Sequence, residues 1–353
     1  MTVFAARDFD DHEQVVFCSD RSNKLLAIIA IHNTNRGPSL GGCRMWPYAT
    51  EQEAIDDALR LSRGMTYKSA LAGLPYGGGK SVVIGNPRLD KTKELFESLG
   101  ENVERLSGRY IIAEDVGTNV DDMETMLTKT RHVVGTRTGG SDNPSPFTAL
   151  GVFVGIKAAV KHKMRVNNLD GIKIAVQGLG SVGYKLCELL HKEGAHLIVS
   201  DIDTELNEKA KKEFNAKISS LDEILAEECD VLAPCALGAI VNDDTIDNIK
   251  AKIIAGAANN QLAQNRHGLA LAQRNILYTP DYVLNAGGLI NVSYEQHGYN
   301  KAKAEAHVLT IYDTLLEIFQ QADAEKLPTN VAADRIAENR FQKTAPKKNK
   351  IAV

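Results

Sequence analysis

The sequence predicts an α/β fold in two domains, and three observations carry the prediction. Strand-like and helix-like patterns alternate through both halves of the 353-residue chain. A run rich in Gly, Ser, Asn and Pro (135–146) interrupts that alternation. After it, a short apolar strand leads directly into a G-x-G-x-x-G turn and a helix. The expected division is a first domain over 1–138, a doubly wound Rossmann-type domain over 139–327, and a C-terminal helix returning toward the first domain over 328–353.

In the first domain, the apolar run 25–31 reads as a buried strand. Ile55, Ala58, Leu59, Leu61 and Met65 give 51–68 a helical spacing. Residues 81–84 and 109–113 read as strands, and 91–106 and 120–128 as helices. In the second domain, 147–163 reads as a helix. Strands are expected at 173–177, 196–200, 230–233, 252–255 and 276–279, with helices at 180–193 and 204–214. Val308, Ile311, Tyr312, Leu315, Ile318 and Phe319 trace one helical face, and a last helix follows Pro328 to about Phe341. The tail from Thr344 is basic and reads as a solvated end.

Composition narrows the class. With 43% hydrophobic and 24% charged residues the chain has the mix of a globular protein, and a net charge of −4 gives no electrostatic reason to expect nucleic acid or an anionic membrane. No apolar run is long enough to span a bilayer, and no basic stretch followed by an apolar core opens the sequence. Five scattered cysteines without C-x-x-C spacing fit reduced thiols in the cytoplasm rather than disulfides or a metal site. No metal ligand is expected.

The turn Gly178-Leu-Gly180-Ser181-Val182-Gly183 follows KIAVQ and opens a helix. Gly178 permits the tight turn, Gly180 lets backbone approach a pyrophosphate at the helix N-terminus, and Gly183 allows close helix–strand packing. Asp201 ends the next strand, where a carboxylate accepts from ribose hydroxyls and repels a 2′-phosphate. Asp203 adds a second negative charge. The cofactor expected is therefore NAD.

Leu74-Pro-Tyr-Gly77-Gly78-Gly79-Lys80 reads as a glycine-rich loop, and it lacks the first glycine of a phosphate-binding P-loop. Lys80 is either a solvated turn lysine or a lysine held close to a small substrate. If Lys68, twelve positions earlier, lines the same cleft, repulsion and desolvation lower the pKa of one lysine to that of a general base. The other would stay cationic and hold a carboxylate. Asp115 follows a strand end, a common place for a cleft carboxylate, though a turn or N-cap aspartate reads the same way.

Together with GPSLGGCRMWPY (37–48), RLSRGMTYKSA (60–70), AEDVGTNVDDM (113–123), NPSPFTALGV (143–152), APCALGAIVN (233–242), AGAANNQL (255–262) and PDYVLNAGGLINV (280–292), these segments resemble the family of glutamate, leucine, phenylalanine and valine dehydrogenases over roughly 13–341. The resemblance implies a first domain holding the substrate site and oligomer contacts, a second binding NAD, and a cleft that closes between them. It implies Lys68 on the substrate α-carboxylate beside Gly41 and Gly42, Lys80 as the catalytic base, and Asp115 assisting proton transfer. Asn259, Asn260 and Asn285 would border substrate and nicotinamide, with Ser181, Val182, Cys235, Ala236 and Ala257 around the cofactor. The implied reaction is reversible oxidative deamination of an L-amino acid to a 2-oxo acid and ammonia.

The resemblance also bears on the substrate. The glutamate branch has a lysine where this chain has Leu40; Leu40, Met65, Ala113, Leu289 and Val292 would instead line an apolar pocket. Ala113-Glu114 looks like the leucine-acting branch, whereas Leu289, Gly79 and Cys43 look like aromatic-acting members. Branched-chain substrates are expected, with phenylalanine or tryptophan as the alternative. More remote alternatives are a hydroxy-acid oxidoreductase and a non-catalytic NAD-binding regulator. A cytoplasmic homo-oligomer, such as an octamer, is implied.

Overall fold

A computed structural model describes residues 3–137 and 143–342. Among these, one compact unit takes in the chain up to position 137, Val292–Tyr299 and the residues from Ala337 onward. The other takes in Asn143–Asn291 and Asn300–Ile336. The expected boundary at 138/139 and the basic tail lie outside the described residues.

The first unit is built from β1 (Gln14–Asp20), β2 (Leu25–Asn33), β3 (Ser39–Trp46), α1 (Glu51–Leu71), β4 (Gly77–Ile84), α2 (Lys93–Glu104), β5 (Tyr110–Glu114) and α3 (Val120–Leu127). Its sheet is mixed, in the order β1-β2-β4-β3-β5, with β2 antiparallel to both of its neighbours, β1 and β4, and β4, β3 and β5 parallel. Side chains alternate between the two faces. Ile28, Ala30 and Val82 pack against Ala54, Ile55, Ala58 and Leu59 of α1. On the opposite face Ile29, Ile31, Cys43, Met45, Val83 and Ile112 pack against Phe96 and Leu99 of α2 and Met123 and Met126 of α3. Covering both faces explains why β2 reads as one continuous apolar run. Thr50 caps α1 by accepting from Glu53 N at 3.2 Å.

Three sequence expectations need correction here. The glycine-rich loop ending at Lys80 is not a loop: Gly77–Lys80 lie inside β4, buried between β2 and β3. Glycine runs are depleted in strands, so propensity alone misreads this one. Strands β1 and β3 were not anticipated, the latter because SLGGC carries the same misleading signal. In α1, Leu61 and Met65 stand on a half-exposed flank rather than on the buried stripe.

The second unit comprises α4 (Ser145–Met164), β6 (Lys173–Gln177), α5 (Ser181–Lys192), β7 (His196–Ser200), α6 (Thr204–Phe214), β8 (Lys217–Ile218), β9 (Val231–Pro234), β10 (Ile253–Ile254), α7 (Arg266–Gln273), β11 (Leu277–Tyr278), α8 (Asp281–Leu284), α9 (Gly287–Ser293), α10 (Lys301–Leu309), α11 (Ile311–Glu325) and α12 (Thr329–Gln342), the last residues of α9 and α12 falling in the first unit. All six strands are parallel, in the order β11-β10-β9-β6-β7-β8. That is the 3-2-1-4-5-6 doubly wound arrangement, with its switch point between β6 and β9. The apolar face expected from Val308 to Phe319 is shared by two helices, because Thr310 ends α10 and precedes α11.

Candidate active site

Strand register sets the first group of side chains. Leu40 of β3 aligns with Gly78 of β4 and Ile111 of β5, and Gly42 aligns with Ala113. Lys80 lies on the same face, opposite Ala30 of β2. Helix α1 covers this face and comes unusually close to β4. A Cβ on Gly78 would lie 2.1 Å from Thr66 N and 2.5 Å from Ser62 O, so only glycine admits the helix backbone there. Leu61, Met65 and Lys68 are spaced four and three residues apart along the half-exposed flank of α1, and Lys68 stands in its last turn.

Lys80 is buried, with only 6% of its side chain exposed, and its Nζ donates to Asp115 Oδ2 at 2.8 Å. Asp115 sits just past β5 in a turn closed by Thr118 N donating to Asp115 O at 3.0 Å. Its carboxylate caps no helix; Asn119 does that for α3. The same Oδ2 accepts from Arg44 Nε at 3.0 Å. Arg44 Nη1 in turn donates to Asp57 Oδ2 at 2.9 Å, where Tyr48 Oη also donates at 2.7 Å, and Arg60 reaches Asp57 Oδ1. A Cβ on Gly42 would fall 3.3 Å from Lys80 Nζ and 2.8 Å from Asp115 Cβ, so the glycine leaves room beside the Lys80 nitrogen.

Burial pulls the Lys80 pKa below the ordinary lysine value, the Asp115 charge and hydrogen bond restore part of it, and Arg44 repels the ammonium further. For Asp115 burial acts upward, but Lys80 and Arg44 outweigh it and hold the carboxyl below its usual range. The like charge facing Lys80 across the shared carboxylate is thus Arg44, a residue the sequence analysis did not single out. Its only signal was a cation placed among apolar residues in CRMW.

The second group stands at the C-terminal ends of β6, β7 and β9. Gly178 has φ +98°, and a Cβ on Gly183 would lie 1.9 Å from Gly178 O. Gly180 precedes α5 with open space around its Cα, and no side chain caps that helix. Ser181 and Val182 form its first turn, and Ala236 and Cys235, just past β9, face Gly178 and Gly183 respectively. Asp201 Oδ2 accepts from Leu179 N at 2.5 Å and its Oδ1 from Asp203 N at 2.9 Å, which ties the acid to the glycine turn. Asp203 is the N-cap of α6, accepting from Glu205 N at 2.9 Å, so one of its oxygens has a structural role.

Asn285 Nδ2 donates to Asn259 Oδ1 at 2.7 Å and to Ala257 O at 3.1 Å, which brings three of the expected residues together. Asn260 is left-handed (φ +52°) and its carbonyl accepts from Ala239 N. Leu289 and Val292 are half-exposed on α9. The uncapped helix, the side-chain-free approach at Gly180 and the carboxylate at Asp201 fit the pyrophosphate and ribose of a dinucleotide. Among the described residues no group of three or more His, Cys, Asp or Glu could hold a metal ion.

A doubly wound nucleotide sheet in one unit and a buried lysine–aspartate pair in the other define an α/β oxidoreductase with a dinucleotide-binding domain. Residues 12–132 match the model of the Glu/Leu/Phe/Val dehydrogenase dimerisation domain. Residues 139–210 and 199–333 match the model of Glutamate/Leucine/Phenylalanine/Valine dehydrogenase. The chain belongs to this family of amino acid dehydrogenases. It is 52% identical to leucine dehydrogenase of Thermoactinomyces intermedius, over 97% of this chain and 94% of that enzyme. With leucine dehydrogenase of Bacillus cereus it shares 53% identity over the same fractions of the two chains. The crystal structure of L-tryptophan dehydrogenase from Nostoc punctiforme superposes with a TM-score of 0.87 at 49% identity, covering 95% of this chain and 97% of that one.

Proposed function

We propose that this chain is an NAD-dependent dehydrogenase of branched-chain L-amino acids, leucine foremost, interconverting the amino acid with its 2-oxo acid and ammonia. The observation that carries the reading is the buried Lys80–Asp115 pair beside the space left by Gly42. Lys68 holds the α-carboxylate, with Gly41 and Gly42 allowing close approach. Leu40 and Ala113, on the α1-facing side of the sheet, and Met65 on the half-exposed flank of α1 offer the side chain apolar surface.

The dinucleotide is held at the 178–183 turn, with Asp201 on the ribose favouring NAD over NADP. When bound, its nicotinamide supplies the acceptor for the hydride leaving Cα. Lys80, once neutral, takes a proton from the water that adds to the imino carbon. Asp115 holds the Lys80 nitrogen in place and, by taking up and giving back a proton, assists proton transfer to the departing amine. Positioned acid–base groups of this kind contribute about 10²–10⁴-fold in rate.

A cytoplasmic homo-oligomer is part of the proposal. It is supported by the match to a dimerisation domain and by five free cysteines. An octamer is the assembly to test first, by light scattering.

The deciding experiment ranks 2-oxo acids by kcat/KM with ammonia and either NADH or NADPH. The branched 4-methyl-2-oxopentanoate should lead, with NADH. The similarity to L-tryptophan dehydrogenase makes the aromatic 2-oxo acids the second reading. A tenfold lead for an aromatic acid would replace leucine, and oxidation of NADH independent of ammonia would remove the reaction class.

A further inference from the structure

The geometry points to Arg44 as a positioning residue for this reaction: by holding Asp115 Oδ2 it divides that carboxylate between two cations, so Lys80 never has the full counter-charge and is able to shed its proton. The inference rests on the reading of Lys80 as the base.

Its observations are geometric. Lys80 Nζ and Arg44 Nε converge on a single oxygen, at 2.8 Å and 3.0 Å. Arg44 is itself fixed from behind by Asp57, which Tyr48 and Arg60 hold in turn. The guanidinium is planar and permanently charged, and two of its nitrogens, Nε and Nη1, bridge Asp115 and Asp57. The charged and titratable groups around Lys80 are few. From β3 come Cys43 and Arg44, and from the end of β5 comes Asp115. Strand β2 places Ala30 opposite Lys80 and contributes no charge at that position. Helix α1 carries Asp57, already engaged by Arg44, and Lys68 in its last turn.

A closed Lys–Asp pair would stabilise the ammonium and make a poor base. A second cation on the same oxygen weakens that pair, keeps Asp115 ionised, and fixes the direction in which the Lys80 nitrogen points. Two unit charges sharing one carboxylate oxygen at a partly buried site interact by the equivalent of about one to two pH units.

The test is the pH dependence of kcat/KM for oxidative deamination in the full chain, compared among wild type, Arg44→Gln and Arg44→Lys. Arg44→Gln should move the limb that requires neutral Lys80 upward by about one pH unit or more, with the amino-acid KM within about twofold. Arg44→Lys keeps the charge and should restore the limb to within about 0.3 unit of wild type. Because Arg44→Gln leaves Asp57 with one cation fewer, the double variant Asp57→Asn/Arg44→Gln serves if the single variant melts below the assay temperature, and an upward shift, reduced by the loss of the more distant Asp57 charge, is expected of it. An unmoved limb with a uniform loss of rate at every pH would overturn the inference while leaving the reaction assignment intact. No ammonia-dependent turnover by the wild type would instead overturn the reading on which it rests.

Discussion

Adding one methyl group at Gly42 probes the candidate site more directly than removing a charged side chain. In Gly42→Ala the new Cβ would lie 2.8 Å from Asp115 Cβ, 2.8 Å from Glu114 O and 3.3 Å from Lys80 Nζ, where ordinary contact begins at 3.4 Å. Asp115 must therefore retreat by roughly 0.6 Å, and it is held on both sides by Lys80 and Arg44. A misplacement of about 1 Å at a reacting group costs on the order of 10²-fold, so kcat should fall about 10- to 100-fold. Overpacking of this size costs about 1–3 kcal/mol of stability. The assay is steady-state kinetics with L-leucine and NAD, accompanied by thermal unfolding and by fluorescence titration with NADH. Nucleotide affinity should be unchanged, because Gly42 belongs to the first unit and the glycine turn to the second. A variant that keeps kcat within about threefold of wild type would refute the placement of chemistry beside Gly42.

Three further outcomes are expected. Lys80→Ala should nearly abolish turnover while NADH still binds, and in the wild type the limb requiring neutral Lys80 should lie below the ordinary lysine range, both read from pH–rate profiles. In the glycine turn, Gly183→Ala should lower the melting temperature, because its Cβ meets Gly178 O at 1.9 Å, whereas Gly180→Ala has open space and should weaken nucleotide binding without changing the melt. His32 is buried against Thr66 and His12, and its pKa is lowered from 6.5 to about 4, mainly by burial and then by His12. The unfolded chain binds the proton that the folded chain refuses, so stability should rise with pH from about 4 to about 6.5 by up to about 3 kcal/mol. His32→Gln should flatten that part of a chemical-denaturation series, and an unaltered slope would contradict it.

The second unit was largely legible in the sequence. Its strands carry short apolar runs bounded by turn residues, and the 178–183 turn sits where the chain must reverse tightly, so local pattern and tertiary role agree. In the first unit they conflict. Gly77–Lys80 and SLGGC look like turns because glycine has no side chain to advertise a strand, yet Gly78 is required for α1 to lie on β4, and a Cβ on Gly41 would lie 1.7 Å from Gly79 O of the adjacent strand. Asp115 was legible from its place after a strand, but the arginine that shares its oxygen was not, since β3 and β5 become neighbours only through the sheet order.

The sequence by itself determined that a nucleotide-binding α/β unit follows a second α/β unit, and its motifs single out Lys68, Lys80 and Asp115 as the candidates for the chemistry proposed above. Both rest on local signals: periodicity, turn glycines and short motifs. Only the tertiary structure decided that Lys80 is a buried strand residue whose carboxylate partner is divided with Arg44. Desolvation and the convergence of charges from separate strands depend on contacts between residues far apart in the chain, and no spacing along the chain encodes them.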